Sequence, residues 1–291
     1  MPAPTVLDPT TDQCKPPETY TLALTPTSAT IEPGKTQSFT ATVTKQDGGA
    51  PSSPVPISVK VEVDATSGGH DHGESYAQRP KGSVSPASGS NTLPFTFTAT
   101  DVSGKHTITA TCDKCSNSPQ TAKVDVKIEG LEQIPATPLF YTINEADGSV
   151  IGAVQGKHTD NHYLKPEAAS VLWRMAASYN IEQRFKVLDP KTKKLVAPPV
   201  LHLNDASLVW GGKFDIPGTW RGSHYEHDKG IVIDIRANTA AGYIPEAHFT
   251  DFENMADAIG ADAQLHCSLT RDPSIDNCAG DTNRHYHVIL N

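Results

Sequence analysis

Two short strings in the C-terminal half carry residues whose types and spacing can do chemistry: His227-Asp-Lys-Gly-Ile-Val-Ile-Asp234 and His285-Tyr-His287. Three spaced ligands of this kind can hold Zn²⁺ and leave one coordination position open for water, which separates a hydrolytic zinc site from a closed structural one. Gly230 permits a turn from a loop into a strand, and Asp234 lies within that strand between Ile233 and Ile235. A carboxylate buried among such neighbours needs a charge partner to offset its desolvation, and a metal ion would supply one. In the second string, period-two alternation places His285 and His287 on one strand face and Tyr286 and Val288 on the other. A lone strand histidine is usually structural and a lone buried Asp often only caps a turn. Finding both strings together, with Gly230 between the first two ligands, is what favours a metal.

His-x-x-Gly-x-x-x-Asp followed later by His-x-His resembles the signature of the LAS-type zinc peptidases, a group that includes lysostaphin, the D-alanyl-D-alanine carboxypeptidases and the Sonic hedgehog N-domain fold. The ending Arg284-His-Tyr-His-Val-Ile-Leu290 is similar to the corresponding strand of penicillin-insensitive murein endopeptidases. The resemblance spans roughly residues 135–291, with the specific match confined to the two strings. It implies Zn²⁺ as cofactor, His227, Asp234 and His287 as its ligands, and His285 as an active-site base or transition-state stabiliser. It also implies metal-assisted amide hydrolysis, with the ion acidifying water and polarising the scissile carbonyl while His285 moves a proton. The substrates implied are peptide cross-links or stems of peptidoglycan. Where carboxypeptidase-like relatives place a glutamate upstream of the last ligand, this chain has no matching acid, so the general base stays open.

Other residues near the strings read two ways. His224 and Glu226 either orient a ligand or substrate or belong to a solvated loop. Trp210, Trp220 and Tyr225 could wall a cleft, although core aromatics are commoner. His158, His162, His202, His248 and His266 have no motif support and read as structural or exposed.

The elements that must position these residues divide the chain by texture. Residues 1–18 are Pro/Thr-rich and unpatterned, which reads as a tail or linker. Residues 19–130 contain short alternating runs at 20–24, 37–43, 57–63, 95–100, 106–111 and 122–128, punctuated by Pro-Gly, Asp-Gly-Gly and Ser-Gly-Lys. That pattern predicts half-buried antiparallel strands and a β-sandwich, and the arrangement resembles bacterial immunoglobulin-like domains of cell-surface proteins. Within it, Gly-Gly-His-Asp-His-Gly (68–73) reads as a solvated loop, with low-affinity metal capture by His70 and His72 as the alternative. Residues 131–291 predict an α+β domain. Strands are expected near 139–144, 200–204, 230–236 and 285–290, with helices from Pro166 to Asn180 and near 246–259. In the first helix Val171, Leu172, Met175 and Ala176 form the core-facing stripe. A fragment beginning near Glu132 is expected to work alone.

With 291 residues and a formal charge of −9, the chain suits two domains and lacks the basic footprint of a nucleic-acid binder. No apolar run approaches the roughly 20 residues of a membrane span. The start has neither the charged nor the apolar region of a signal peptide, so export is expected by another route or after removal of a signal. Five cysteines fall into two local pairs, which favours an oxidising extracellular or periplasmic setting. Cys267 and Cys278 are expected to pair, Cys112 and Cys115 to form a turn disulfide rather than half a zinc ribbon, and Cys14 to be a free thiol. A reading from another class competes with the peptidase: a surface adhesion or binding protein whose zinc is non-catalytic, with the sandwich making cell-surface contact. His285 beside His287 favours the enzyme, because a binding module needs no base there.

Overall fold

The computed structural model describes residues 6–7, 14–15, 18–70, 79–135, 140–143, 161–186, 200–214, 227–237, 244–266 and 284–291. The chain forms two compact units. The first comprises Met1–Asp64, Pro80–Thr100 and Lys105–Val126, and the second Ala65–Arg79, Asp101–Gly104 and Lys127–Asn291.

The first unit is a β-sandwich. Its strands are β1 (Tyr20–Thr25), β2 (Ser28–Ile31), β3 (Thr36–Lys45), β4 (Pro56–Val63), β5 (Ser83–Ser85), β6 (Ser88–Ser90), β7 (Thr92–Thr98), β8 (Gly104–Thr111) and β9 (Gln120–Val126). One sheet runs β1-β3-β7-β5 and the other β2-β9-β8-β4-β6, with β2 and β9 parallel. Alternation decides which residues go inward: Phe39, Ala41 and Val43 from β3 and Leu93, Phe95 and Phe97 from β7 meet Ile57, Val59 and Val61 from β4 and Ile108 and Ala110 from β8 in one apolar cluster. The intervening Thr and Lys residues face outward. Cys112 and Cys115 are joined by a disulfide, and the Cys115 N–H donates to the Cys112 carbonyl at 3.1 Å, so the pair closes a turn as expected. Cys267 and Cys278 lie outside the described residues. Within the stretch read as a tail, Val6–Leu7 pairs antiparallel with Cys14–Lys15.

The second unit is built on a mixed five-stranded sheet. Its strands are β10 (Tyr141–Ile143), β11 (Leu201–Leu203), β12 (Val232–Arg236), β13 (Ala261–His266) and β14 (His285–Leu290), in the order β10-β11-β12-β14-β13. Two helices, α1 (Pro166–Lys186) and α2 (Phe249–Ala258), cover one face. Proline opens α1 because its missing N–H is one the first turn leaves unbonded anyway. The stripe expected from the sequence is the one that is buried: Val171, Leu172, Met175 and Ala176, extended by Ala168 and Tyr179. They pack with Phe252 and Met255 of α2 against Leu201, Leu203, Ile233, Ile235, Tyr286, Val288 and Leu290 of the sheet. Tyr286 is the largest of these, edge-on to Phe249 and tilted against Phe252, with its hydroxyl donating to Glu253 Oε1 at 2.8 Å. With every second residue of β12 and β14 committed to this core, the residues between them are forced onto the opposite face.

The second unit differs from a contiguous block beginning at residue 131. It takes in two stretches lying between strands of the sandwich in sequence, and these contribute contacts. Gly69 sits so close to Leu208 and Val209 that an added Cβ would approach their side chains to 3.4 and 3.3 Å. The Lys213 N–H donates to the Asp101 carbonyl at 2.8 Å, and the Ile128 N–H to that of Trp210 at 2.9 Å. His70 is 1% exposed and Gly68 is buried as well, which corrects the solvated-loop reading at that position. His72 lies outside the described residues. A fragment starting at Glu132 loses these contacts. Two lost backbone hydrogen bonds at about 1 kcal/mol each, plus exposed apolar surface, should lower its melting midpoint by at least about 5 °C relative to the intact chain. Thermal unfolding followed by circular dichroism checks this, and equal midpoints would refute it.

Candidate metal centre

Backbone geometry brings the two strings together. After the single helical turn His227–Lys229, Gly230 takes φ +70°, and a Cβ there would stand 2.1 Å from Leu131 Cδ2, so only glycine fits this reversal into β12. Antiparallel pairing of β12 with β14 then sets Asp234 opposite His287 and Arg236 opposite His285. All four side chains share the face away from the helices.

On that face three donor atoms converge. Asp234 Oδ1 is 3.2 Å from His227 Nε2 and 3.1 Å from His287 Nδ1, and the ligand atoms of the three residues lie within 4.8 Å of one another. All three residues are buried, at 0%, 2% and 8% exposure for His227, Asp234 and His287. Asp234 Oδ2 faces His285 Nε2 at 3.6 Å, and the His285 side chain is 18% exposed. The structure thus places the three expected ligands in one cluster and the expected base beside it.

The donor set fits a cation. His227 Nδ1 stands 3.1 Å from the Ala206 carbonyl, which can only accept, so that nitrogen carries the proton. Whenever that ring is neutral, Nε2 presents a lone pair to a carboxylate oxygen 3.2 Å away, and two acceptors at that distance need positive charge between them. Ligand atoms held about 2.0–2.1 Å from one tetrahedral Zn²⁺ stand about 3.3 Å apart, close to the spacings found. A carbonyl that orients a ligating histidine through its other ring nitrogen is the usual support of such sites. Burial pushes the Asp234 carboxyl up, but the charges of His227 and His285 and hydrogen bonds from His227 and His287 outweigh it and hold the group well below its ordinary range.

The segment 204–207 frames the cluster from behind. The Asn204 N–H donates to the Asp234 carbonyl at 2.7 Å, the Asp234 N–H to that of Asp205 at 2.8 Å, and the Ala206 N–H to that of Asn161 at 2.9 Å. The Asp205 carboxylate accepts from Asn161 Nδ2 at 2.6 Å and Asn204 Nδ2 at 3.3 Å. Burial, and then the charge of Asp234, push its carboxyl up to about 6. Arg236 Nη2 donates to Asn204 Oδ1 at 3.2 Å.

Sequence reasoning passed over two of these residues. Asp205 directly follows a strand it did recognise, but an Asn-Asp pair after a strand reads as a turn. His266 closes β13, an element it did not foresee, and pairs in register opposite His285. The alternation Ala261, Ala263, Leu265 against Asp262, Gln264, His266 was the available signal. Of the other histidines, His202 sits on β11 with Nδ1 3.3 Å from Thr142 Oγ1, its pKa lowered by burial. His162 precedes the first helix in sequence, its carbonyl accepting from the Ile134 N–H at 2.8 Å, and His248 ends the short turn before the second. Among the aromatic residues expected to wall a cleft, the Trp210 ring lies 5.8 Å from Lys127 Nζ, and Phe214 is the ring that meets His227 edge-on. His158, Trp220, His224, Tyr225 and Glu226 lie outside the described residues.

No protein-family model and no curated protein matches this chain. Similar solved structures include domains 4 and 5 of the S-layer protein SbsC, with 21% identity and a TM-score of 0.27 over 38% of this chain and 54% of that one. The Yersinia pseudotuberculosis adhesin InvE gives 14% identity and a TM-score of 0.24 over 37% of this chain and 26% of that one. A Bacteroides ovatus GH5 xyloglucanase gives 11% and 0.23 over 46% of this chain and 23% of that one. The chain thus spans about half the length of the first and about a quarter of the others.

Zinc-loaded protein is expected to retain one ion per chain after dialysis. His287→Ala should lose it, whereas His285→Ala should keep it, because only His287 shares Asp234 Oδ1 with His227. Elemental analysis of the three proteins checks this, and zinc loss from His285→Ala would make that residue a ligand.

Proposed function

We propose that this chain is an exported zinc peptidase that hydrolyses amide bonds, with the peptide stems or cross-links of peptidoglycan as its substrate class. The observation that carries the reading is the convergence of His227 Nε2, Asp234 Oδ1 and His287 Nδ1 with a third, partly exposed imidazole alongside. When bound, zinc would supply Lewis acidity to a scissile carbonyl and to water. Everything else falls to the chain's own residues. His227, locked by Ala206, and Asp234, locked into the β12–β14 ladder, hold their donor atoms in place without reorganisation. His285 is open enough to meet substrate; it accepts a proton from water and returns it to the leaving amine. The positive charge it carries in between is met by Asp234 Oδ2, 3.6 Å away.

Export is supported by the Cys112–Cys115 disulfide, since such bonds persist in oxidising compartments. No helix among the described residues is long and apolar enough to cross a membrane. The substrate class follows from the resemblance of the two ligand strings to the LAS-type peptidases, and the rival reading, a surface binding protein with a non-catalytic zinc, uses the same ligands.

The test is incubation of the purified, zinc-loaded chain with cell-wall muropeptides, read by mass spectrometry with and without chelator. New termini that vanish with chelator are expected. His285→Ala should lower kcat roughly 10²- to 10⁴-fold, the usual cost of a lost acid/base contact, while keeping zinc. No product from zinc-loaded protein would sink the peptidase and leave the binding protein. Product with unchanged kcat in His285→Ala would assign the proton transfer elsewhere.

A further inference from the structure

We propose that His266 is a positioning residue of this centre, whose ring sets the planes of the two imidazoles that do its work. The inference rests on the zinc-site reading above. The His-x-His pair on β14 is flanked on both sides. Asp234 and Arg236 of β12 stand on one side, and Gln264 and His266 of β13, opposite His287 and His285, on the other. His266 therefore lies directly across from His285 and diagonally from His287, and diagonal neighbours are within reach of aromatic side chains. The contacts are made. The His266 ring lies parallel to that of His287, with centroids 5.0 Å apart and planes 7° from coincidence, and meets that of His285 edge-on at 5.7 Å and 73°.

A centroid separation of that size at near-zero angle is an offset stack, one of the two favoured arrangements of aromatic pairs, and the contact to His285 is the other. Their consequence for the site is geometric. Rotation about the Cβ–Cγ bond of His287 swings Nδ1 away from Asp234 and His227. His227 abuts one side of the His287 ring edge-on at 5.1 Å, and the parallel His266 ring removes the remaining freedom of the plane. The contact between Nδ1 and Asp234 Oδ1 then selects which edge points inward. Ring plane and ring edge are thus fixed by different partners. For His285, the edge contact plays the same part on the side away from Asp234. His266 lies outside the group of three whose donor atoms converge, which makes it a support for the ligand rather than part of the ligand set.

The test separates a ring from a polar group, and bracing from zinc binding. Three full-length variants are compared with the wild type: His266→Ala, His266→Phe, which keeps a flat ring, and His266→Gln, which keeps a polar group without one. Circular dichroism first establishes that each folds. Zinc affinity is read by chelator competition, and the ring resonances of His285 and His287 by long-range ¹H–¹⁵N correlation in metal-free protein. Removing a support of a ligating histidine typically costs 10- to 100-fold in metal affinity, so His266→Ala should bind zinc about 10-fold or more weakly, with His266→Phe restoring most of the loss and His266→Gln little. The His285 and His287 resonances should move in His266→Ala even without metal. Wild-type affinity and unmoved resonances in His266→Ala would overturn the proposal, as would rescue by His266→Gln equal to that by His266→Phe. Should His266→Ala not fold, the contrast between Phe and Gln decides alone. Resonances that respond as expected in a wild-type chain that takes up no zinc would support the bracing and refute the zinc reading separately.

Discussion

The second unit depends on one shared atom, Asp234 Oδ1. A carboxylate 2% exposed, flanked in its strand by Ile233 and Ile235, faces a desolvation cost of several kcal/mol unless opposite charge and hydrogen bonds meet it. Two imidazole nitrogens meet Oδ1 and a third faces Oδ2. That solution exists in one strand register only. Side chains alternate faces with a period of two, so a slip of one residue between β12 and β14 would set Asp234 into the helix-covered core and Ile233 and Ile235 onto the polar face. Apolar packing of Tyr286, Val288 and Leu290 under the helices and polar clustering of His285 and His287 above them enforce the same register from opposite sides.

A site built this way needs a scaffold behind it, because a buried polar network is stabilising only when its members are satisfied. Asn204, Asp205 and Ala206 provide it mostly through backbone groups: one N–H and one carbonyl tie to Asp234, another carbonyl to His227 Nδ1. Backbone partners cannot change rotamer, so they fix a tautomer and a strand position more firmly than a flexible side chain would. Asp205 brings a second carboxyl into the same buried region, and the two acids are pushed in opposite directions. Asp234 is held down by its imidazoles and Asp205 is raised by burial and by Asp234 itself. Two neighbouring carboxylates cannot both be ionised cheaply, and the imidazoles decide which one is.

Much of this arrangement is legible in the sequence, because the strongest patterns are local. Thr/Val alternation marks β1, β3, β4, β7, β8 and β9; Pro166 and its apolar stripe mark α1; the His-x-His spacing alone places two imidazoles on one face. Weaker signals were lost. β2, β5 and β6 are three or four residues long, too short for a period to show. β13 begins Ala-Asp-Ala-Gln, whose small and polar residues carry little strand signal, so no local pattern assigns His266 an element. His70 reads as solvated because Gly-Gly-His-Asp-His-Gly has loop composition, yet it is buried, and the neighbouring Gly69 lies against Leu208 and Val209, more than a hundred residues away in sequence. The inclusion of residues 65–79 and 101–104 in the second unit is likewise a matter of tertiary partners, which no local period encodes.

The histidines show how far such a reading can go. Spacing tells which side chains share a face of one strand, and it placed His285 and His287 correctly. It says nothing about which strand lies alongside, and a centre assembled across a sheet takes half its support from that neighbour. β12 supplies the acid and β13 an aromatic ring to the same pair of imidazoles. The three strands lie side by side only because Ile235, Tyr286 and Leu265, none of them chemical, pair in register on the face that carries the core. The polar face is therefore a by-product of apolar packing on the other side of the sheet, and substitutions in that core that shift the register of β12, β13 and β14 act on the site as directly as changes to its own ligands.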